Sequence, residues 1–279
     1  MPPSIKPLRA RLGMAATLLA LIVLGAPSHA VADTPAEPRP QHLDVSFVPT
    51  PEDVITRMLE MAEVQESDYV VDLGSGDGRI VIAAARDFGV KRAMGVDIDP
   101  KRIAEAQQNA RAEGVTDRVI FVEGDLFKSE FHDADVLTMY LLPNLNLRLR
   151  PLILEKMAPG TRIVSHAFDM GEWAPDMHEQ VDNRDIYLWI VPAQVSGEWE
   201  FEREDGTRFK VTLNQEYQSI TGRATIDERH LPLSSISLNG DRIRFTLDDQ
   251  RYVGIVDGDH LTADEEEDDA LAGWQARRY

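Results

Sequence analysis

An α/β domain built on a parallel sheet, followed by a small antiparallel β-barrel or sandwich, is the fold this sequence predicts, and three observations carry the prediction. Between Val70 and Gly114, aliphatic strands alternate with helical segments at a spacing that requires parallel strands joined by right-handed crossovers. The first of these strands, Val70-Val71-Asp72-Leu73, runs into the turn Gly74-Ser75-Gly76-Asp77-Gly78 and then into the apolar run Ile80-Val81-Ile82. From Val195 the pattern changes to short alternating segments separated by Asp-Gly and Asn-Gly pairs, which mark hairpins.

The glycine turn is where a ligand is expected. Glycine has no Cβ to clash and tolerates positive φ, so three glycines at alternate positions let the backbone approach a bound molecule closely. The helix starting near Gly78 aims its free N–H groups and positive dipole end at the same turn, which suits a carboxylate or a phosphate. The dinucleotide fingerprint G-x-G-x-x-G places its third glycine one residue later, so this spacing disfavours nicotinamide binding.

Ahead of this block, residues 1–32 read as a secretory signal peptide. Lys6, Arg9 and Arg11 precede the apolar run Leu12–Ala26, and Ser28-His29-Ala30 or Ala30-Val31-Ala32 offers a small-residue cleavage site. The run is shorter than the ~20 residues a bilayer span needs, so cleavage is favoured over anchoring, and no later segment reads as a span. Export to the periplasm or beyond is therefore expected, and the absence of cysteine agrees with an oxidising compartment. Residues 33–44, rich in proline, read as a linker. Thr50 is placed as the N-cap and Pro51 as the first residue of a helix over Glu52–Ala62, with Val54, Ile55, Met58, Leu59 and Met61 inward.

After the turn, the helix continues to about Phe88, the strand Ala93–Asp97 follows, and Asp99-Pro100 opens a helix that stops at Gly114. Asp97 stands at the carboxyl end of its strand, the edge where parallel sheets bind ligands, and there it can accept both hydroxyls of a ribose. Val119–Val122 leads to Glu123-Gly124-Asp125-Leu126, where Asp125 can accept from an adenine amino group. Asp72, Asp97 and Asp125 on three successive strand ends trace an adenosine with a charged amino-acid tail. The fourth strand and its exit, Asp135–Asn144, lack the Asn-Pro-Pro-Tyr run that holds a planar amide or exocyclic amine, which lowers adenine N6 and glutamine as acceptors. A helix over Asn144–Met157, a strand over Arg162–Phe168, a helix-free stretch over Asp169–Asp176 and a hairpin of Val181-Asp182 with Ile186–Val191 complete a domain over 45–192.

Taken together, these residues resemble one branch of the class I S-adenosylmethionine (SAM) methyltransferases. Phe47-Val48-Pro49-Thr50-Pro51, the block from Asp72 to Ala85, Asp125-Leu126-Phe127 and Phe168–Trp173 look like the lysine methyltransferases that modify the c subunit of mitochondrial ATP synthase, and their bacterial relatives. The resemblance covers 45–192. It implies a Rossmann-like class I methyltransferase sheet, SAM as cofactor, Gly74, Gly76, Gly78 and Asp97 among its contacts, and protein lysine as a possible acceptor. With their neighbours, the candidate cofactor contacts are Thr50, Asp72, Gly74, Ser75, Gly76, Gly78, Asp97, Ile98, Asp125 and Leu126. The chain departs from the mitochondrial members in its leader, in Asp97 where they tend to have Glu, and in its C-terminal region.

Methyl transfer to an amine asks for placement more than for reactive side chains. Tyr140, just beyond the fourth strand, is the candidate to orient the amine, or is simply a strand-end aromatic; Asn144 is the second candidate. The C-terminal region, 193–279, is expected to be all β, with strands over Glu198–Glu202, Phe209–Leu213, Ser219–Ile226, Ile236–Leu238, Ile243–Leu247, Tyr252–Val256 and Ala272–Arg277. Glu265–Asp269 reads as a solvated acidic loop without a twelve-residue cation pattern, so no metal site is expected.

Removing a leader with three positive charges and no negative ones takes the formal net charge from −19 to −22. That acidity opposes a nucleic-acid partner, since phosphate binding needs a surplus of Lys and Arg. Three functions remain: methyl transfer to a protein lysine, methyl transfer to a small molecule or lipid headgroup, and an exported binding protein that keeps the cradle without turnover.

Overall fold

The computed structural model describes residues 48–279, so the expected signal peptide and linker lie outside the described residues. The first sheet is threaded by α1 (Glu52–Met61), β1 (Tyr69–Leu73), α2 (Arg79–Asp87), β2 (Arg92–Asp97), α3 (Pro100–Ala112), β3 (Val119–Glu123), β4 (Val136–Met139), α4 (Pro143–Lys156), β5 (Arg162–His166), β6 (Met177–Val181) and β7 (Arg184–Ile190). Its order is β3-β2-β1-β4-β5-β7-β6, with β1 to β5 parallel and β7 running antiparallel between β5 and β6. All five residues of β1 are buried, as expected of a central strand covered on both faces. Ile55, Leu59, Val81 and Ala84 fill one face of the sheet, and Leu73, Leu137, Leu149, Ile153 and Trp189 fill the other.

Three local expectations change. β5 ends at His166 instead of continuing to Phe168, because Ala167 takes a positive φ of 67°. Thr50 is not the N-cap of α1: Pro51 holds that position and no side chain caps the helix. The Thr50 hydroxyl instead meets Nδ1 of His166 at 3.1 Å, giving a partner to an imidazole buried at the end of β5. The closing hairpin also begins earlier than Val181, at Met177, because its turn falls at Asp182-Asn183, both with positive φ. Asp99 caps α3 as expected, accepting from the Lys101 N–H at 2.9 Å.

The second sheet contains β8 (Gly197–Arg203), β9 (Arg208–Glu216), β10 (Ser219–Ile226), β11 (Arg229–Pro232), β12 (Ser234–Asn239), β13 (Arg242–Leu247), β14 (Gln250–Asp257), β15 (His260–Ala263) and β16 (Trp274–Arg278). All pair antiparallel, in the order β11-β10-β9-β8-β16-β15-β14-β13-β12. The sheet curls until Leu233, just before β12, donates its N–H to the Gly222 carbonyl on β10 at 3.0 Å, so the barrel is nearly closed. Gly222 is needed there, since a Cβ would lie 2.9 Å from Leu233. Phe201, Phe209, Phe245, Tyr252 and Trp274 fill the interior, and Arg203 donates to the Tyr252 hydroxyl. β11 and β15 are strands the sequence reading does not expect: β11 follows the glycine-free turn Asp227-Glu228, and β15, although the Asp257-Gly258 turn precedes it, is only four residues long. Among the described residues, no helix is long and apolar enough to cross a membrane.

Gly78 has φ +80°, and a Cβ on it would meet the Phe121 ring at 2.5 Å and Ala106 at 2.9 Å. Gly78→Ala is expected to destabilise the protein by about 2 kcal/mol or more in urea denaturation, from left-handed strain plus overpacking. A change below about 0.5 kcal/mol would contradict this packing.

Candidate functional site

The carboxyl ends of β1, β2, β3 and β4 surround one cavity of about 240 Å³. Eight of the ten expected cofactor contacts line it: Thr50, Asp72, Gly74, Ser75, Asp97, Ile98, Asp125 and Leu126. Gly76 and Gly78 do not. Gly76 donates its N–H to Asp97 Oδ2 at 2.8 Å, and Gly78 starts α2 beneath Phe121, so both shape the cradle from behind. The turn is held close to its neighbours: Gly74 and Ser75 donate to the Val96 carbonyl at 2.8 and 2.9 Å, and a Cβ on Gly74 would come within 2.7 Å of Leu141.

Each acid at a strand end has its own surroundings. Asp97 also accepts the Asp99 N–H, at 2.9 Å, so its carboxylate is fixed before any ligand meets it. Asp125 accepts the Phe127 N–H at 3.0 Å, a turn-capping bond that orients it at the cavity edge. Asp72 is buried, with the Thr138 hydroxyl donating to Oδ1 at 2.8 Å. Burial, with smaller contributions from the Asp97 and Asp77 charges, outweighs that bond and pushes the Asp72 carboxyl up to about 7.

On the β4–β5 side, Tyr140 lines the cavity, with its ring centroid 4.0 Å from that of His166 and 6.3 Å from that of Phe168. Burial, and secondarily the Arg184 charge, pushes His166 down to about 4, so it is neutral at physiological pH. Asn144 is not brought to this site. Because α4 begins at Pro143, Asn144 falls on an exposed part of its first turn. The buried asparagine is Asn146, whose amide donates to Ser165 Oγ and to the carbonyls of Phe168 and Asp169 at 3.0–3.2 Å.

Sequence reasoning also missed Arg79, which binds Asp77 at 2.6 Å and the Thr50 carbonyl at 2.9 Å and so ties the segment before α1 to the glycine turn. Its position directly after the third glycine was the available signal. His166 had a fainter one: it ends the fifth parallel strand, on the same edge as the acids.

Comparison with known proteins gives these residues a context. Residues 72–177 match the family model of the ANTKMT methyltransferase domain. Over 151 residues the chain is 46% identical to a protein-lysine N-methyltransferase of Saccharolobus islandicus, an alignment covering 53% of this chain and 94% of that one. The chain belongs to this methyltransferase family. It is 29% identical to the human lysine N-methyltransferase of the ATP synthase c subunit over 148 residues, 53% of this chain and 62% of that one, so it spans less than two thirds of the human relative. A crystal structure described as an RNA methyltransferase from Salinibacter ruber, in complex with S-adenosyl-L-homocysteine, matches with 50% identity and a TM-score of 0.52, covering 53% of this chain and 96% of that one.

The methyltransferase cavity fits SAM. Gly74 and Ser75 bring the backbone of the glycine turn to its wall, and Asp72, Asp97 and Asp125 line it as the acceptors a cationic adenosine derivative needs. Bound there, SAM would supply an electrophilic methyl group on its sulfonium. Asp97 would take the ribose hydroxyls, Asp125 the adenine amine, Ile98 and Leu126 the ring faces, and Asp72 the cationic amino-acid end. No group of His, Cys, Asp or Glu able to hold a metal is found among the described residues.

Asp72 holds its proton below about pH 7, whereas a cationic ligand needs its carboxylate. Cofactor affinity is therefore expected to rise between about pH 6 and about pH 8, with proton release on binding near neutrality. Asp72→Asn should remove that dependence and weaken binding at the alkaline end about 10- to 100-fold. Calorimetry in two buffers of different ionisation enthalpy checks it, and a pH-independent affinity in the unaltered protein would contradict it.

Proposed function

We propose that this protein transfers a methyl group from SAM to the Nζ of a lysine in a protein substrate. The observation that carries the reading is the aromatic wall of Tyr140, His166 and Phe168 beside the cofactor cavity. An incoming lysine must lose its proton, from a reference pKa near 10.4, and desolvation against such a wall favours the neutral amine. His166 carries no charge there, so it does not repel a cationic side chain arriving at the site. Tyr140 would orient the amine for in-line displacement, a step governed by distance and alignment rather than by a strong base. The named activities of the archaeal and human relatives support lysine as the acceptor.

The Salinibacter relative is described as an RNA methyltransferase, but a formal net charge of −19 and a pI near 4.7 disfavour a polyanionic substrate here. We also propose that residues 45–192 form the catalytic domain and that the leader directs the chain out of the cytoplasm. Since SAM is made in the cytosol, an exported enzyme must receive it by transport or act before export is complete.

Incubation of the protein with labelled SAM and separate protein, RNA and metabolite pools is expected to place the methyl on lysine, as read by mass spectrometry of protein digests. Tyr140→Ala should lower kcat by about 100-fold while leaving SAM affinity nearly unchanged, because it removes alignment rather than cofactor contacts. Label found in RNA or metabolites and absent from protein would overturn the acceptor assignment.

A further inference from the structure

We propose that the β9–β10 hairpin of the barrel is a positioning element for the acceptor side of the methyltransferase site, and that Tyr217 is its principal contact. The segment it acts on, residues 167–176, connects β5 to β6. It has little regular structure of its own beyond the Met170–Trp173 bridge, yet its second residue is Phe168, part of the wall beside Tyr140. A loop of this kind holds its shape only through what packs around it.

Support comes from two directions. From α4, the Asn146 amide binds the Phe168 and Asp169 carbonyls, and Arg150 Nη1 donates to the Met170 carbonyl at 2.8 Å. From the barrel, the Tyr217 ring stacks on buried Trp173 with centroids 6.1 Å apart and planes 15° apart. Gln218 Nε2 donates to the Ala174 carbonyl at 2.7 Å. The Arg150 guanidinium lies 5.5 Å from the Tyr217 ring centroid, so the α4 and barrel contacts meet on one aromatic.

The hairpin is itself tied down. Gln215 donates through Nε2 to the carbonyls of Ala193 and Tyr217 at 2.8 and 2.7 Å, and accepts the Val195 N–H through Oε1 at 2.7 Å. These bonds lock the hairpin tip to the segment joining the two sheets. Tyr217 sits at φ +55°, a left-handed conformation that a bulky residue adopts only where its surroundings hold it.

The archaeal and Salinibacter relatives are matched over 94% and 96% of their own lengths by 53% of this chain, which leaves no room in them for a nine-stranded barrel. Their methyltransferase fold therefore stands without it. In this chain the barrel contacts the acceptor-side loop, while none of the barrel's residues lines the cofactor cavity. Its effect should fall on the acceptor and spare the cofactor.

The test uses the full chain with Tyr217→Ala and Tyr217→Phe. In Tyr217→Ala, hydrogen exchange across 168–176 should speed up about tenfold or more while β1 to β3 stay protected. SAM affinity should hold within about twofold, and kcat/KM for the protein acceptor should fall about tenfold, by loss of placement. Tyr217→Phe keeps the ring face and should restore both. Unchanged exchange in Tyr217→Ala would overturn the proposal, as would faster exchange with unaltered acceptor kinetics. An equal loss of cofactor affinity would reduce the contact to general fold stability and overturn it too. The kinetic arm rests on the lysine reading above and the exchange arm does not, so a wild-type protein that methylates no protein sinks that reading while exchange still decides whether Tyr217 holds the loop.

Discussion

The carboxylate of Asp97 accepts the Gly76 N–H on one oxygen and the Asp99 N–H on the other, at 2.8 and 2.9 Å, and so joins the glycine turn after β1 to the exit of β2. Gly74 and Ser75 reinforce the joint by donating to Val96. The approach leaves no space for side chains: a Cβ on Gly95 would lie 2.7 Å from Ser75 Oγ, and one on Gly74 2.7 Å from Leu141. The remaining parts of the site take their positions from this joint. α2 springs from it at Gly78, Arg79 reaches from it to the Thr50 carbonyl, and Thr50 in turn meets His166 at the far end of β5. One chain of bonds thus runs from the cofactor cradle to the aromatic wall.

Electrostatics divides the site into two unlike halves. The cradle concentrates carboxylates, and burial of Asp72, added to by repulsion from Asp97 and Asp77, holds a proton on it up to about pH 7. Because that pKa lies above the unfolded value, the folded state binds the proton more tightly, and Asp72 lowers stability as pH rises from about 4 to about 7. A cation bound beside it relieves the repulsion, which is the physical reason an acidic cradle suits a sulfonium cofactor. The half beside Tyr140 is aromatic, and burial strips its His166 of charge.

Much of this was legible in the sequence because the signals were local. The glycine spacing, the aliphatic runs and the acids at their ends placed β1 to β5 and seven of the cavity-lining residues, from Asp72 to Leu126, without any long-range information. What was not legible depended on partners far away in the chain. Thr50 looks like a helix cap, but the geometry that turns its hydroxyl to His166 involves a residue 116 positions later. Asn144 and Asn146 lie two residues apart, and only the start of α4 at Pro143 decides which one faces inward. In the barrel, hairpins with glycine, such as Asp257-Gly258, were readable, whereas Asp227-Glu228 and Asp248-Asp249 make their turns with two non-glycine residues at positive φ. The stacking of Tyr217 on Trp173 joins two sheets and has no signature in either stretch alone.

On this reading the strand-end carboxylates around the glycine turn form a SAM cradle that opens toward the acceptor at Tyr140. A crystal structure of the protein with S-adenosylhomocysteine tests it most directly. The ribose hydroxyls are expected on the Asp97 carboxylate, the amino-acid end beside Asp72 and Ser75, and the thioether sulfur facing Tyr140. An adenosine bound away from the ends of β1 to β3, or a sulfur turned from Tyr140, would contradict it.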